Sequence, residues 1–467
     1  MNAPPTLPER LDRTLAAYHE ARDDLRVRTR LAQLLAQDPN LAELKHRGAI
    51  ADLVRDLRID PRQVERAGWH IVLASGAVPD SPEAAASWLE GDELALGLLS
   101  ETHVTVAAAE AAASAIRRWL LIEGRAADYP RAAAALIAQA ALNEGCWPFD
   151  ADEAAALATA PDFALAYLPP PPPHNVPPAF VAPITRAVAA QYADWPYPTW
   201  QRANALPPRH INRRLASLGP GAPQLPRNAQ ILVAGCGTGS EAYIVASAAP
   251  DCHVTAIDLS ATSIAYARER CAGLSNITFR QHDLNRVAEL GQTFDYISTS
   301  GVLHCVPDPE AAWAGLVDVL EPGGGMHVML YSRLARLAVT AAQRQLGELM
   351  ERPVDADLIR EARARLIADP VVGINDSPDF FSAGGVYDLL LHVHEDLFDV
   401  PRIEAAVASM GLDLIHFTLP DAAATAQYRA EFPGDPWRRS FANWAEFEFR
   451  HPGMFGPMYG LECVKPA

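Results

Sequence analysis

Positive charge is what this chain lacks. Its 467 residues carry 39 Lys and Arg against 57 Asp and Glu, a formal −18 at pH 7. Binding a nucleic-acid backbone requires an excess of the opposite sign, so nucleic acid is not expected as a partner. Cysteine is scarce as well. Cys146, Cys236, Cys252, Cys271, Cys305 and Cys463 form no C-x-x-C pair and are too sparse for a disulfide framework, which points to a reducing, cytoplasmic setting. Long apolar runs are missing too. The longest uncharged stretch, Phe163–Thr185, contains eight prolines and cannot form a membrane-crossing helix. The start, Met1-Asn-Ala-Pro-Pro, lacks the cationic-then-apolar order of a signal peptide, so no membrane insertion is expected. Aromatic residues are only 7%, yet 49% of the chain is hydrophobic, enough for a large core in two or three domains.

The first third reads as helical. Apolar residues at helical spacing predict helices over Leu11–Leu35, Leu41–Leu57, Pro82–Leu99, Val104–Glu123, Tyr129–Asn143 and Asp152–Ala158. Ser81 followed by Pro82 is a start signal, and Asp38-Pro39-Asn40 a stop. No fixed internal period is present. Five consecutive prolines, Pro169–Pro173, then impose polyproline II geometry, a spacer between bodies. The expected organisation is a helical region 1–168, divisible at about 75; a linker 169–178; and an α/β domain 179–467 with an insertion at about 332–400.

Within that second domain, short apolar runs alternate with helical stretches. Strands are predicted at Gln230–Ala234, His253–Ile257, Ile277–Phe279, Phe294–Ser298, Met326–Tyr331, Leu412–Phe417 and Met458–Val464. This is the pattern of a seven-stranded, mostly parallel, Rossmann-like sheet covered by helices. Glu321–Gly325 reads as a sharp turn before the fifth strand.

The strongest local signal is Gly235-Cys-Gly237-Thr-Gly239, directly after an apolar strand and before a helix around Ala242–Ala249. Glycines there allow close backbone approach to a nucleotide over the strand end. Asp258 follows the second strand, where a carboxylate can accept ribose hydroxyls. Asp283 follows the third, where it can receive an adenine amino group. A dinucleotide would require glycine at position 240 and a helix N-terminus free for pyrophosphate. Instead Ser240 is followed by Glu241, whose charge occupies that place. The pattern favours a nucleoside cofactor without phosphate, S-adenosylmethionine (SAM), over a dinucleotide.

The segment Ser300–His304 ends the fourth strand and should face the reacting methyl group. His304 is placed either to act as a base or to shape the pocket. If Asp388–Glu395 is helical, Asp388, His392 and Glu395 share one face, as a substrate-facing polar group or a structural network. The sequence His392-Val-His394-Glu395 matches no strong zinc spacing, so no metal is expected. Tyr197 and Trp200 form either a lid over the cofactor or ordinary packing ahead of the first strand.

These blocks resemble the class I SAM-dependent methyltransferases. Within them the chain is similar to a bacterial group of tetratricopeptide-containing methyltransferases that includes outer-membrane-protein lysine methyltransferases. The likeness is carried by Ala115-Ile-Arg-Arg-Trp-Leu-Leu121, Ala138-Gln-Ala-Ala-Leu-Asn-Glu144, Pro196-Tyr-Pro-Thr-Trp200, Gly301-Val-Leu-His-Cys305, Leu330-Tyr-Ser-Arg-Leu-Ala-Arg336, Asp379-Phe-Phe381, Asp388–Glu395, Asn443-Trp-Ala-Glu-Phe-Glu448 and Met458-Tyr459, in common order over residues 90–467. Thr199 stands where the group usually has Arg, and Cys305 where it often has His. Tetratricopeptide repeats are missing. The resemblance implies SAM as cofactor, S-adenosylhomocysteine as product, and a protein or peptide side chain as methyl acceptor. A small-molecule acceptor and a non-catalytic SAM-binding scaffold are the alternatives, and a homodimer through the N-terminal helices is one arrangement. The cofactor set is then Gly235, Gly237, Gly239, Asp258, Leu259, Asp283, Leu284, Ser300 and Gly301. His304, His392 and Tyr197 are expected at the chemistry, and Trp200, Tyr331, Asp388 and Glu395 at the substrate.

The acidity is uneven. Residues 67–175 hold four basic and 14 acidic side chains, and residues 376–413 one Arg and eight carboxylates. Such a surface suits a cationic or lysine-bearing acceptor by steering, although a solvated acidic face explains it equally.

Overall fold

The computed structural model describes residues 5–76, 78–167, 183–203, 210–419 and 422–467. The expected proline linker, 169–178, lies outside the described residues. The chain separates into two compact units. Among the described residues no helix is long and apolar enough to cross a membrane.

The first unit is helical and is drawn from residues 1–171, 201–204 and 342–391. The pattern expected as one helix over Leu11–Leu35 is two, Leu7–Glu20 and Leu25–Gln37. The break is written in Asp24, whose carboxylate caps the second helix by accepting the Arg26 N–H at 2.8 Å. Asp92 divides Pro82–Leu99 in the same way, accepting from Leu94 and Ala95 between the helices Pro82–Gly91 and Glu93–Glu101. The helix Arg62–Ala74 was not anticipated. It buries Val64, Ala67, Trp69, Ile71 and Val72, and this one-sided burial overrides a start that carries no side-chain cap.

Residues 342–391, expected within an insertion of the second domain, pack in this helical unit instead. The reason is a buried ion pair. Arg363 donates to both carboxylate oxygens of Glu110, at 2.9 and 2.7 Å, and to the Phe380 carbonyl at 2.6 Å. Its guanidinium also lies over the Phe380 ring. A charge this deep requires its partner, so the segment is held where Glu110 is. Nearby, the Gly384 N–H donates to Glu144 at 2.6 Å, joining two sequence blocks 240 residues apart. That contact is in the first turn of the helix Ala383–Leu390, which stops at Leu390. Residues His392–Glu395 are therefore not helical, and the expected single face of Asp388, His392 and Glu395 does not form.

The second unit contains a seven-stranded sheet in the order β3-β2-β1-β4-β5-β7-β6. Its strands are β1 Gln230–Ala234, β2 His253–Asp258, β3 Ile277–Gln281, β4 Phe294–Ser300, β5 Leu320–Tyr331, β6 Asp413–Thr418 and β7 Met458–Val464. Strands β1 to β5 pair in parallel, whereas β7 runs antiparallel to both β5 and β6. The parallel character is thus partial, and the seventh strand reverses it. Valine, isoleucine and leucine fill the central strands because both faces are covered. One core of Leu232, Ile297, Trp313, Met326, Phe417, Trp444 and Tyr459 spans the sheet. β5 starts earlier than its apolar run suggests: Glu321–Gly325 belongs to the strand, and Gly325 pairs with Tyr296. Side chains at Gly324 and Gly325 would collide with Leu320 and Pro223, which is why an extended strand can carry glycine there.

Candidate active site

The sheet order reverses at β1, where the chain leaves toward β2 and β3 on one side and β4 and β5 on the other. Crevices beyond the carboxyl ends of the strands at such a point are where ligands bind in open α/β sheets. The glycine loop lies here. Gly235, Gly237 and Gly239 all have positive φ, at 74°, 48° and 87°. At each, a Cβ would press on protein: the Val302 side chain at Gly235, the Tyr197 carbonyl 3.1 Å away at Gly237, and the Ala267 Cβ at 2.6 Å at Gly239. Glycine is needed for backbone conformation and close packing together. The N–H groups of Gly235 and Cys236 both donate to the Ile257 carbonyl at 2.8 Å, fixing the loop to β2.

Asp258 ends β2 with its carboxylate turned to this loop. One oxygen accepts the Gly237 N–H and the other the Ser260 N–H, both at 2.8 Å. Burial pushes its carboxyl above the usual range, opposed by these backbone donors. Leu259 is partly exposed beside it, and its carbonyl accepts from the Gln281 amide at 2.9 Å. Asp283 follows β3 and caps the next turn, accepting the Asn285 N–H at 2.9 Å, while Leu284 is buried. Ser300 and Gly301, the latter with φ 76°, terminate β4. The nine expected cofactor positions therefore gather at the ends of β1, β2, β3 and β4.

Trp200 is 2% exposed, and its indole N–H donates to the Thr238 carbonyl at 2.9 Å. It packs beneath the glycine loop, without the open face that a substrate contact requires. Thr238 in turn donates to the Pro198 carbonyl, so Tyr197–Trp200 is strapped onto the loop from outside. Tyr197 remains partly exposed.

His304 is 1% exposed and stacks on Tyr331, with ring centroids 3.8 Å apart. Its Nδ1 accepts the Tyr331 N–H at 3.3 Å. His392 accepts the His394 N–H on Nδ1 at 3.1 Å, and its Nε2 lies 3.2 Å from the Tyr192 hydroxyl. In both imidazoles the Nδ1 lone pair is occupied, which places the proton of the neutral ring on Nε2. Burial pushes both pKa values down, His304 strongly and His392 to about 4, with the Arg336 charge adding to the effect. Arg336 pairs with Glu395 and lies 4.2 Å from the Tyr331 ring centre. Tyr331 is 8% exposed. Hence His304, His392, Tyr331 and Glu395 come together in this unit, while Asp388 is buried in the helical unit.

Three residues outside the expected set join the two groups. Tyr192 and Arg336 complete the imidazole cluster; Arg336 lies inside a resembling block, but Tyr192 carried no sequence signal. In the sequence Glu241 stands only as an obstacle to pyrophosphate. Its carboxylate accepts hydroxyls from Ser298 and from Ser300, the latter at 2.8 Å, bridging the first turn of helix Ser240–Ala248 to the end of β4.

Residues 225–360 match a family model described as a methyltransferase domain. A ubiquinone biosynthesis O-methyltransferase of Paracidovorax citrulli is 30% identical over 174 residues, covering 36% of this chain and 71% of that protein. The chain belongs to the class I SAM-dependent methyltransferases. An uncharacterized protein of Synechococcus is 37% identical over 174 residues, 36% of this chain and 42% of its own length. This methyltransferase chain therefore matches about two fifths of that relative. Among solved structures, PKMT2 from Rickettsia typhi in complex with AdoHcy aligns at 17% identity and a TM-score of 0.45, over 58% of this chain and 55% of that one.

Proposed function

We propose that this protein is an SAM-dependent methyltransferase acting in the cytoplasm on a nucleophilic side chain of a protein or peptide. The observation that carries the cofactor reading is the clamp between the glycine loop and Asp258. Its two carboxylate oxygens each accept one backbone N–H, and each retains a lone pair for a ribose hydroxyl. The donor set fits a nucleoside without phosphate, because Glu241 fills the first helical turn where an anion would bind. Gly235, Gly237, Gly239, Ser300 and Gly301 would hold the cofactor by backbone approach, Asp258 and Asp283 by their carboxylates, and Leu259 and Leu284 by apolar contact. When bound, SAM supplies a methyl group already activated on a sulfonium.

The chain's own contribution is approach geometry and protonation state. An amine acceptor must arrive neutral, which desolvation favours. The imidazoles of His304 and His392 have lost basicity, and in the tautomer described each presents an Nε2–H. They are unsuited to proton removal: His304, 1% exposed, would act through the Tyr331 ring stacked on it, and His392 through the Tyr192 hydroxyl 3.2 Å from its Nε2. Tyr331, Arg336 and Glu395 would set the acceptor's position, and Tyr197 would border it. Trp200 acts in this reading by supporting the glycine loop. A homodimer through the helical unit is a further part of the proposal.

The protein acceptor is supported by the resembling sequence blocks and by the acidity of 376–413. A small-molecule acceptor is the second reading, supported by the relative named as a ubiquinone biosynthesis O-methyltransferase. Incubation with methyl-labelled SAM and a cell lysate, followed by separation of macromolecules from metabolites, decides between them. Label in the macromolecular fraction is expected. Label confined to small molecules would select the second reading, and SAM binding without transfer in either fraction would select a non-catalytic scaffold.

A further inference from the structure

Helix Pro183–Asp194 packs on helix Ala261–Arg270 and reaches both ends of the site. Its Tyr192 carbonyl accepts the Ser260 hydroxyl at 3.1 Å, and the Ser260 N–H is one of the two donors on Asp258. The side chain of the same residue runs the other way. Its hydroxyl lies 3.2 Å from His392 Nε2, with the two rings tilted at 57° and their centroids 5.8 Å apart. Gln191, one residue earlier and 3% exposed, accepts the Val393 N–H at 3.2 Å. Two successive residues thus hold His392 and Val393, and one of them also sits on the turn that carries Asp258. A methyl group passing from a nucleoside cofactor to its acceptor travels between those two places.

Hydrogen-bond polarity then defines what Tyr192 can hold. His392 Nδ1 accepts the His394 N–H, so Nε2 carries the ring proton and the phenol oxygen accepts it. An amine about to be methylated has one lone pair, which must point at the methyl carbon, so it is held through its N–H bonds. A donor such as His392 Nε2–H would cover that lone pair. A phenol oxygen has two acceptor positions, enough for His392 and an amine together. Resting on the protein-acceptor reading above, we propose that Tyr192 touches the reacting nitrogen, its phenol oxygen accepting an N–H of a neutral amine side chain. His392 fixes the phenol from behind. The contact strengthens as positive charge develops on the nitrogen, so it favours the transition state over the ground state.

Tyr192→Phe tests this, because it keeps the ring and its packing and removes the oxygen. The initial rate of label transfer from methyl-labelled SAM to the macromolecular fraction of a lysate should fall about tenfold to a hundredfold, the range of a charge-assisted hydrogen bond. Affinity for S-adenosylhomocysteine, read by calorimetry, should stay within about twofold. A second readout needs no turnover. In wild type carrying ring carbon-13 tyrosine and bound to S-adenosylhomocysteine, the Tyr192 signal should move when n-butylamine is added at about pH 9, and stay in place with tetramethylammonium, which has no N–H. Loss of that signal in Tyr192→Phe assigns it. Transfer by Tyr192→Phe within about twofold of wild type would overturn the assignment, as would a Tyr192 signal that n-butylamine leaves unmoved. Wild type that puts no label in the macromolecular fraction would instead overturn the protein-acceptor reading, while the n-butylamine readout still decides on Tyr192.

Discussion

Replacing Asp258 by Asn tests the centre of the proposed site, because it keeps the shape and removes the charge. In the native arrangement both oxygens accept a backbone N–H at 2.8 Å, from Gly237 and from Ser260. Asparagine offers one oxygen and one amino group, so one of those N–H donors would face another donor. That lost bond costs about 1–3 kcal/mol of stability. Binding suffers separately. If the carboxylate accepts both ribose hydroxyls, each charge-assisted bond contributes roughly 1.5–3 kcal/mol, for a combined loss of about a hundredfold or more in SAM affinity. Calorimetry reads the affinity, and thermal unfolding with and without SAM reads stability and the ligand-induced shift together. The pH dependence has a definite sign. Burial raises the Asp258 carboxyl above 3.8, and the ribose contact needs the ionised form, so wild-type affinity should begin to weaken above the ordinary carboxylate range as pH falls. Folded Asp258→Asn protein that binds SAM within about threefold of wild type would refute the reasoning.

Gly235→Ala should destabilise the protein by about 1–3 kcal/mol, because its Cβ would overlap the Val302 side chain at a φ of 74°. Adding Val302→Ala should recover the steric part and leave the backbone part; urea unfolding of the two single variants and the double variant checks this, and additive losses would contradict it. His392, with its pKa pushed down to about 4 from an ordinary 6.5, takes up its proton in the unfolded chain first. Stability should therefore fall as pH drops through that window, less steeply in His392→Gln; identical slopes in denaturant titrations from pH 7 to 4 would exclude a buried neutral imidazole.

Much of the second unit is legible in the chain because its signals are local. All seven strands are marked by short apolar runs, and β1 and β7 fall at the expected residues. The glycines sit on a turn whose positive φ only they adopt readily. Helix breaks were harder to read. Asp24 and Asp92 interrupt continuous apolar spacing, and a capping aspartate inside a periodic pattern looks like an ordinary polar residue until its hydrogen bonds are seen. The helical premise for His392–Glu395 failed for a related reason: the helix stops at Leu390, and no local residue announces it.

The sequence alone determined the succession of the seven strands, the glycine loop and the acidic residues at the strand ends. Each depends on neighbours within a turn or a strand. Tertiary structure decided what those residues meet. Glu241 finds Ser300 across 59 positions, Tyr192 finds His392 across 200, and Arg363 finds Glu110 across 253. Sheet register and burial make those encounters, and burial also lowers the basicity of His304 and His392 while backbone N–H groups occupy their Nδ1 atoms. A histidine expected at the chemistry is thus held neutral, because protonation is set by surroundings that the order of residues does not contain.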